Sequence, residues 1–303
     1  MEILILIITL IGIIYGANNL VDGSSMLARR FNISDFIIGA LIIGVGTSMP
    51  ELVVSLIGTL NNSPDIAIGN VVGSNIFNIL GILGLTAIIF PIPIKKENVY
   101  FDITFCILFS VILTGLALSS KLGLNLYTGL LLLLLFLIYT CLSFKQTINE
   151  NKLEINLEPV WQSIIKIIGG LSILILSCDF FVDNAVIIAR NLGLSEATIS
   201  LTLIACGTSL PELAASMIAA FKKNTQIALG NIIGSNIFNI SFIIGMCALV
   251  SPLSSNEIGI IDYSVMISAV LITFLCGIFG KINRIIGILM FMFFMIYTSY
   301  LII

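Results

Sequence analysis

The chain has no histidine, a single tryptophan and very little charge: 13 Lys and Arg with 16 Asp and Glu make up 10% of its 303 residues. Each shortage excludes something. Without histidine there is no imidazole general base, no HExxH zinc site and no histidine-ligated haem. Soluble domains carry about 25% charged residues, so too few charges exist here to cover a water-exposed surface. A net charge of −3 and the lack of any basic tract exclude a nucleic-acid binder. Disorder is excluded by a hydrophobic share of 58% and a mean hydropathy of +1.17. The cysteines Cys106, Cys141, Cys178, Cys206, Cys247 and Cys276 show no CxxC spacing and read as small apolar packing residues. What remains is an integral membrane protein whose function rests on few polar groups.

What is present is apolar sequence in lengths that fit a bilayer. A helix needs about 20 apolar residues to cross the hydrocarbon core. Stretches of that kind lie near 3–21, 36–60, 66–91, 101–119, 124–144, 161–179, 197–221, 226–250, 258–280 and 283–303, which predicts an all-α membrane protein with ten transmembrane helices. A secretory signal is not expected, because Glu2 stands where a signal would be basic. Basic loops stay in the cytoplasm. One set of alternate loops holds Arg29, Arg30, Lys95, Lys96, Lys145, Lys152, Lys166, Lys222, Lys223, Lys281 and Arg284; the other holds only Lys121 and Arg190. This bias predicts a multi-pass protein of the cell membrane with both termini outside. The polar connection 145–160 is then a cytoplasmic tether between a first half, 1–144, and a second, 161–303.

The strongest signal is an internal repeat. Residues 32–85 align without a gap on 193–246 at an offset of 161, with 24 of 54 positions identical. The first copy reads GVGTSMPEL and IAIGNVVGSNIFNI; the second reads ACGTSLPEL and IALGNIIGSNIFNI. The same offset puts Asp22 on Asp183 and Arg29 on Arg190. Two homologous halves of five spans insert in opposite orientations, because five is odd. The loop charges agree, with Arg29 inside and Arg190 outside. Such inverted repeats are common in secondary transporters, whose ion sites lie near the midplane where the halves meet.

The repeat also places chemistry. Glu51 and Glu212 fall within spans, where a carboxylate costs at least about 2.5–3.5 kcal/mol. No Lys or Arg of the second, third, seventh or eighth span lies at matching depth, so the partner expected is a cation from solution. Pro50 and Pro211 precede the glutamates and interrupt the helix ladder. That loosens carbonyls near Gly46, Thr47, Gly207 and Thr208, and freed carbonyls lining a cavity bind cations. In the next span Asn70, Ser74 and Asn78 form one polar stripe at i, i+4 and i+8, repeated by Asn231, Ser235 and Asn239. Ser74, Ser235, Asn78 and Asn239 are read as lining the site. Asn70, Asn231, Asn75 and Asn236 fit either a ligand role or plain hydrogen bonding between helices. Gly69 and Gly73, with Gly230 and Gly234, form GxxxG pairs suited to close helix approach. Every candidate ligand is an oxygen, which suits hard cations such as Ca²⁺ and Na⁺; two carboxylates neutralise one Ca²⁺.

GTSMPEL with GNVVGSNIFN, repeated as GTSLPEL with GNIIGSNIFN, resembles the two α-repeats of the Ca²⁺/cation antiporter superfamily, and most of all its prokaryotic sodium/calcium exchanger branch. The resemblance covers the whole membrane domain. It implies electrogenic exchange of several Na⁺ for one Ca²⁺, with no cofactor and no catalysis, by a protein expected to work as a monomer. It implies that Glu51 and Glu212 share Ca²⁺ and also bind Na⁺, aided by the Thr47 and Thr208 carbonyls. Ser48, Ser74, Ser209 and Ser235 match the serine ligands, Gly44 and Ala205 supply backbone oxygens, and Asn78 and Asn239 border the centre. It further implies that the first and sixth helices slide across the other eight. Potassium-dependent relatives carry Asp at the position of Asn239, so a chain with Asn there is expected not to need K⁺. The short central connection leaves no room for a cytoplasmic Ca²⁺-sensing insert.

Three rival readings carry less. A Ca²⁺/H⁺ antiporter of the same superfamily usually shows a GNATE-like motif, absent here. A channel does not explain buried glutamates in inverted halves. An intramembrane enzyme lacks a Ser–Lys, Ser–His or reactive cysteine arrangement.

Overall fold

The computed structural model describes residues 2–119, 123–146, 159–191, 205–254 and 257–302. Long uncharged runs of Ile, Leu, Val and Phe satisfy their backbone within each segment, the requirement of a lipid solvent. The described residues form α1 (Glu2–Phe31), α2 (Asp35–Thr47), α3 (Met49–Leu60), α4 (Pro64–Ile89), α5 (Lys96–Ala117), α6 (Leu126–Gln146), α7 (Val160–Asn191), α8 (Leu210–Phe221), α9 (Thr225–Val250), α10 (Ile260–Ile278) and α11 (Arg284–Ile302). Among the described residues eight of these are long and apolar enough to cross a membrane: α1, α4, α5, α6, α7, α9, α10 and α11. The pair α2 and α3, bent by 45° at Ser48, is together long and apolar enough for a ninth if the two count as one broken span. The expected span 197–221 is described only from Ala205–Gly207 onward into α8, and residues 147–158 of the expected tether lie outside the described residues.

Two helices outrun their apolar stretches. α1 and α7, with 30 and 32 residues, continue past the expected ends at 21 and 179. Hydropathy falls where the polar ends begin, but the helix does not stop there; at 1.5 Å per residue each is about 45 Å long, more than the hydrocarbon core requires. The two pack backbone to backbone. A Cβ on Gly16 would lie 2.8 Å from the Gly170 carbonyl oxygen, and one on Gly170 would lie 2.6 Å from the Leu20 nitrogen.

The core lies on α4 and α9, the most enclosed helices, which carry Ile68, Val71, Ile76, Ile79, Ile232, Ile233, Ile237 and Ile240 fully inside. Phe36 and Ala40 of α2 press directly on Gly230 and Gly234 of α9, where any side chain would collide with backbone. The repeat-equivalent partners of Gly69 and Gly73, at 197 and 201, lie outside the described residues.

Around this core, short β contacts join distant loops. β1 (Ile92–Pro93) pairs antiparallel with β2 (Lys281–Ile282), and Leu124 bridges Leu253. These contacts fall before and after α5, so they tie its two ends. Two acids near helix starts, Asp102 and Asp262, are also buried. Asp102 of α5 accepts from Tyr139 Oη of α6 at 3.0 Å, and Asp262 of α10 accepts from Tyr297 Oη of α11 at 2.6 Å.

Candidate cation site

The helix breaks come where the Gly-Thr-Ser-x-Pro-Glu segments predict them. Ser48 (φ −84°, ψ 11°) and Ser209 (φ −91°, ψ 9°) leave the helical region, and Pro50 and Pro211 then start α3 and α8 in the first turn, where a missing N–H costs nothing. Each break faces the polar stripe of α4 or α9. Both stripes pass into wide π turns, Phe77–Leu83 and Asn239–Ile243, irregularities common at functional sites.

The two motif copies are cross-linked side chain to side chain. Ser48 Oγ donates to Glu212 Oε1 at 2.8 Å, and Ser209 Oγ donates to Glu51 Oε1 at 2.9 Å. Both glutamates are fully buried. Asn78 Nδ2 donates to Asn236 Oδ1, and Asn239 Nδ2 donates to Asn75 Oδ1, each at 3.1 Å. Ser235 Oγ donates to the Gly44 carbonyl oxygen at 3.1 Å, and Thr47 Oγ1 donates to its own helix at Ile43 and lies 3.3 Å from Asn231 Oδ1. Ser74 is buried on α4; Thr208 is half-buried, and Ala205 opens the turn before the Ser209 break. Nine of the twelve site candidates, Glu51, Glu212, Ser48, Ser209, Asn78, Asn239, Ser235, Gly44 and Thr47, therefore take part in bonds across the copies.

Four oxygens in this network have no hydrogen-bond partner among the described residues: Glu51 Oε2, Glu212 Oε2, Asn78 Oδ1 and Asn239 Oδ1. Buried polar atoms are otherwise paired as a rule. Thr208 Oγ1 is a fifth such atom. Buried acceptors left over on both motif copies, with no Lys or Arg among the described residues bonded to them, are what a cation needs. Thr208 also lines a cavity of about 580 Å³ walled by Met49, Pro50, Ile175, Asp179 and Asp183, so open space reaches the edge of the network.

Two of the asparagines that sequence left open between ligand and hydrogen-bonding roles bond neighbouring helices. Asn70 Nδ2 donates to the Glu51 carbonyl oxygen and to Ser55 Oγ at 3.1 and 3.0 Å. Asn231 Nδ2 repeats this with the Glu212 carbonyl oxygen and Ser216 Oγ at 3.2 and 2.8 Å. Ser55 and Ser216 escaped sequence reasoning, although both are repeat identities four residues beyond the glutamates.

This arrangement, in a bundle of apolar helices, is of the kind a membrane transporter of cations needs. Comparison with known proteins agrees. The sodium/calcium exchanger protein family is matched over residues 1–145 and 162–303. The chain is 37% identical to the putative antiporter CaxA of Alkalimonas amylolytica, over 92% of this chain and 91% of that one. It is 30% identical to the sodium/calcium exchanger MaX1 of Methanosarcina acetivorans, over 99% and 97% of the two chains. A solved structure of the sodium-calcium exchanger NCX_Mj superposes with a TM-score of 0.87 at 35% identity, covering 99% of this chain and 98% of that one. The protein belongs to the sodium/calcium exchanger family of cation antiporters.

Proposed function

We propose that the protein exchanges Na⁺ for Ca²⁺ across the cell membrane by alternating access, with net charge movement and without a requirement for K⁺. The observation that carries this reading is the set of four partnerless buried oxygens on Glu51, Glu212, Asn78 and Asn239, all held by bonds to the other motif copy. An all-oxygen set with two carboxylates matches Ca²⁺ in charge and hardness, and the same oxygens serve Na⁺. The Thr47 and Thr208 carbonyls, the Ser74 and Ser235 hydroxyls and the Gly44 and Ala205 carbonyls complete the proposed ligand set. Ser48 and Ser209 steer the carboxylates as well as offering oxygens of their own. Empty, the site buries two carboxylates without a counter-charge, which opposes unloaded transitions and couples the two fluxes.

Ten spans in two inverted halves, 1–144 and 161–303, joined through 145–160, place both termini outside. One chain contains both motif copies, so a monomer suffices. Asn239 adds an oxygen but no charge, which is the basis for independence from K⁺. The test is radiocalcium uptake into proteoliposomes under an imposed Na⁺ gradient, with and without K⁺. Uptake driven by Na⁺ alone and accelerated by an inside-positive clamp is expected, because more than two Na⁺ leaving for each Ca²⁺ entering carries net positive charge outward. Uptake driven only by a pH gradient, or only with K⁺, contradicts the reading.

A further inference from the structure

An asparagine amide presents an oxygen on one side and an NH₂ on the other, and only the oxygen suits a cation. Something must therefore fix which way Asn78 and Asn239 face. The geometry points to Asn75 and Asn236 as positioning residues that set the amides of Asn239 and Asn78, each acting across the two motif copies. This rests on the reading of Asn78 and Asn239 as cation ligands.

The chain of bonds starts at groups that cannot reverse. The backbone carbonyl of Asn75 only accepts, and it takes Nδ2 of Asn236 at 3.1 Å. That fixes Asn236, whose Oδ1 then accepts from Asn78 Nδ2 at 3.1 Å. The remaining atom, Asn78 Oδ1, has no partner among the described residues. The mirror chain runs from the Asn236 carbonyl oxygen to Asn75 Nδ2 at 3.2 Å, from Asn75 Oδ1 to Asn239 Nδ2 at 3.1 Å, and ends on the partnerless Asn239 Oδ1. Reversing the Asn78 amide would set its oxygen against Asn236 Oδ1 and turn an NH₂ toward the cation position, two unfavourable contacts at once. Asn75 and Asn236 are themselves about 1% exposed, so water cannot replace them. The π turns begin two residues after Asn75 and three after Asn236, where the regular helical ladder changes step.

The pairing is specific: Asn236 serves Asn78 and not Asn239. The experiment uses that specificity on the full-length purified protein. Ca²⁺ binding is measured by calorimetry and by the Ca²⁺-induced rise in melting temperature. Asn236→Ala is introduced into the native chain and into two backgrounds of equal added charge, Asn78→Asp and Asn239→Asp. A carboxylate at 78 has two equivalent oxygens and no donor for Asn236 Oδ1, so it needs no orientation. Asn236→Ala is expected to weaken Ca²⁺ binding about ten- to a hundred-fold, the usual loss for a group that orients a metal ligand, in the native chain and in Asn239→Asp. In Asn78→Asp it is expected to cost less than about two-fold, or to improve binding. Asn75→Ala should show the reverse preference, tolerated in Asn239→Asp only. Equal losses in both backgrounds would mean that Asn236 merely holds the helices together and would overturn the inference. If Asn236→Ala does not fold, Asn236→Ser is measured in the same three chains and judged by the same comparison. A failure of the underlying ligand reading is told apart by Asn78→Ala and Asn239→Ala, which would then leave Ca²⁺ binding unchanged.

Discussion

At Glu51 and Glu212 one carboxylate oxygen is held by a serine of the other motif copy and one has no hydrogen-bond partner among the described residues. Replacing either glutamate by glutamine keeps an acceptor for the serine but removes the charge. Exchange is expected to be lost in Glu51→Gln and Glu212→Gln, while the melting temperature in ion-free buffer stays level or rises, because an uncompensated buried carboxylate has been removed. Normal Na⁺-driven uptake by either variant would contradict the site. Ser209→Ala and Ser48→Ala each release a carboxylate on the opposite copy. A hydrogen bond to a charged group is worth about 1.5–3 kcal/mol, so the Ca²⁺ concentration for half-maximal uptake should rise by roughly ten-fold or more. The glutamates, Ser74, Ser235 and the outer asparagines stood out by depth and repetition, whereas Ser48 and Ser209 entered only through the family resemblance. The division of labour among asparagines was not legible. Asn70, Asn75 and Asn78 share one chemistry on one helix, and only the bonds they make separate scaffold from candidate ligand.

Among the helices, the acid–tyrosine pairs Asp102–Tyr139 and Asp262–Tyr297 fasten α5 to α6 and α10 to α11. Both acids lie near the starts of the spans expected over 101–119 and 258–280, where acids ordinarily meet water. They are buried because the following helix returns antiparallel and brings a tyrosine from near its far end. Tyr139→Phe removes the hydroxyl and leaves Asp102 with Asn98 Nδ2 at 3.3 Å. A loss of stability of about 1–3 kcal/mol, read as a lower melting temperature with Ca²⁺ affinity unchanged, is expected. A second pair concerns α1 and α8. Lys222 Nζ donates to Asp22 Oδ1 at 2.6 Å and to the Asn18 carbonyl oxygen at 3.2 Å. By the repeat offset these positions correspond to Asn61 and Asp183, which cannot form an ion pair, and Asp183 lines the open cavity instead. The side chains of Lys222 and Asp22 are 30% and 51% exposed, and exposed pairs contribute about 0–1 kcal/mol. On the alternating-access reading Lys222→Asn should shift the ratio of the two access states by up to about five-fold. Spin-label distances between α1 and α8 would show it, and an unchanged distribution would remove this pair from the balance.

Taken whole, the molecule was legible to the extent that apolarity and duplication reveal it. Nine of the expected spans fall on described helices, because crossing a bilayer imposes a length that composition displays; of the span expected over 197–221 only 205–221 lies among the described residues. Helix ends were not legible, since α1 and α7 continue into polar sequence where hydropathy gives no warning. Nor were the loop contacts Ile92–Ile282 and Leu124–Leu253, which depend on chain ends brought together only by the finished fold. Orientation is testable directly. Single cysteines added at each terminus, in a variant lacking the native cysteines, should both react with an impermeant thiol reagent applied to intact cells. Labelling of one end only would require an odd number of spans. The exchange of serine–glutamate and asparagine–asparagine bonds between the copies has a consequence for descent. A change in one copy's serine or inner asparagine is felt by the other copy's carboxylate or amide. Neither copy can therefore drift freely, and a duplicated gene segment that began as two interchangeable parts has been bound to a shared history at those positions, while most of the remaining repeat has diverged.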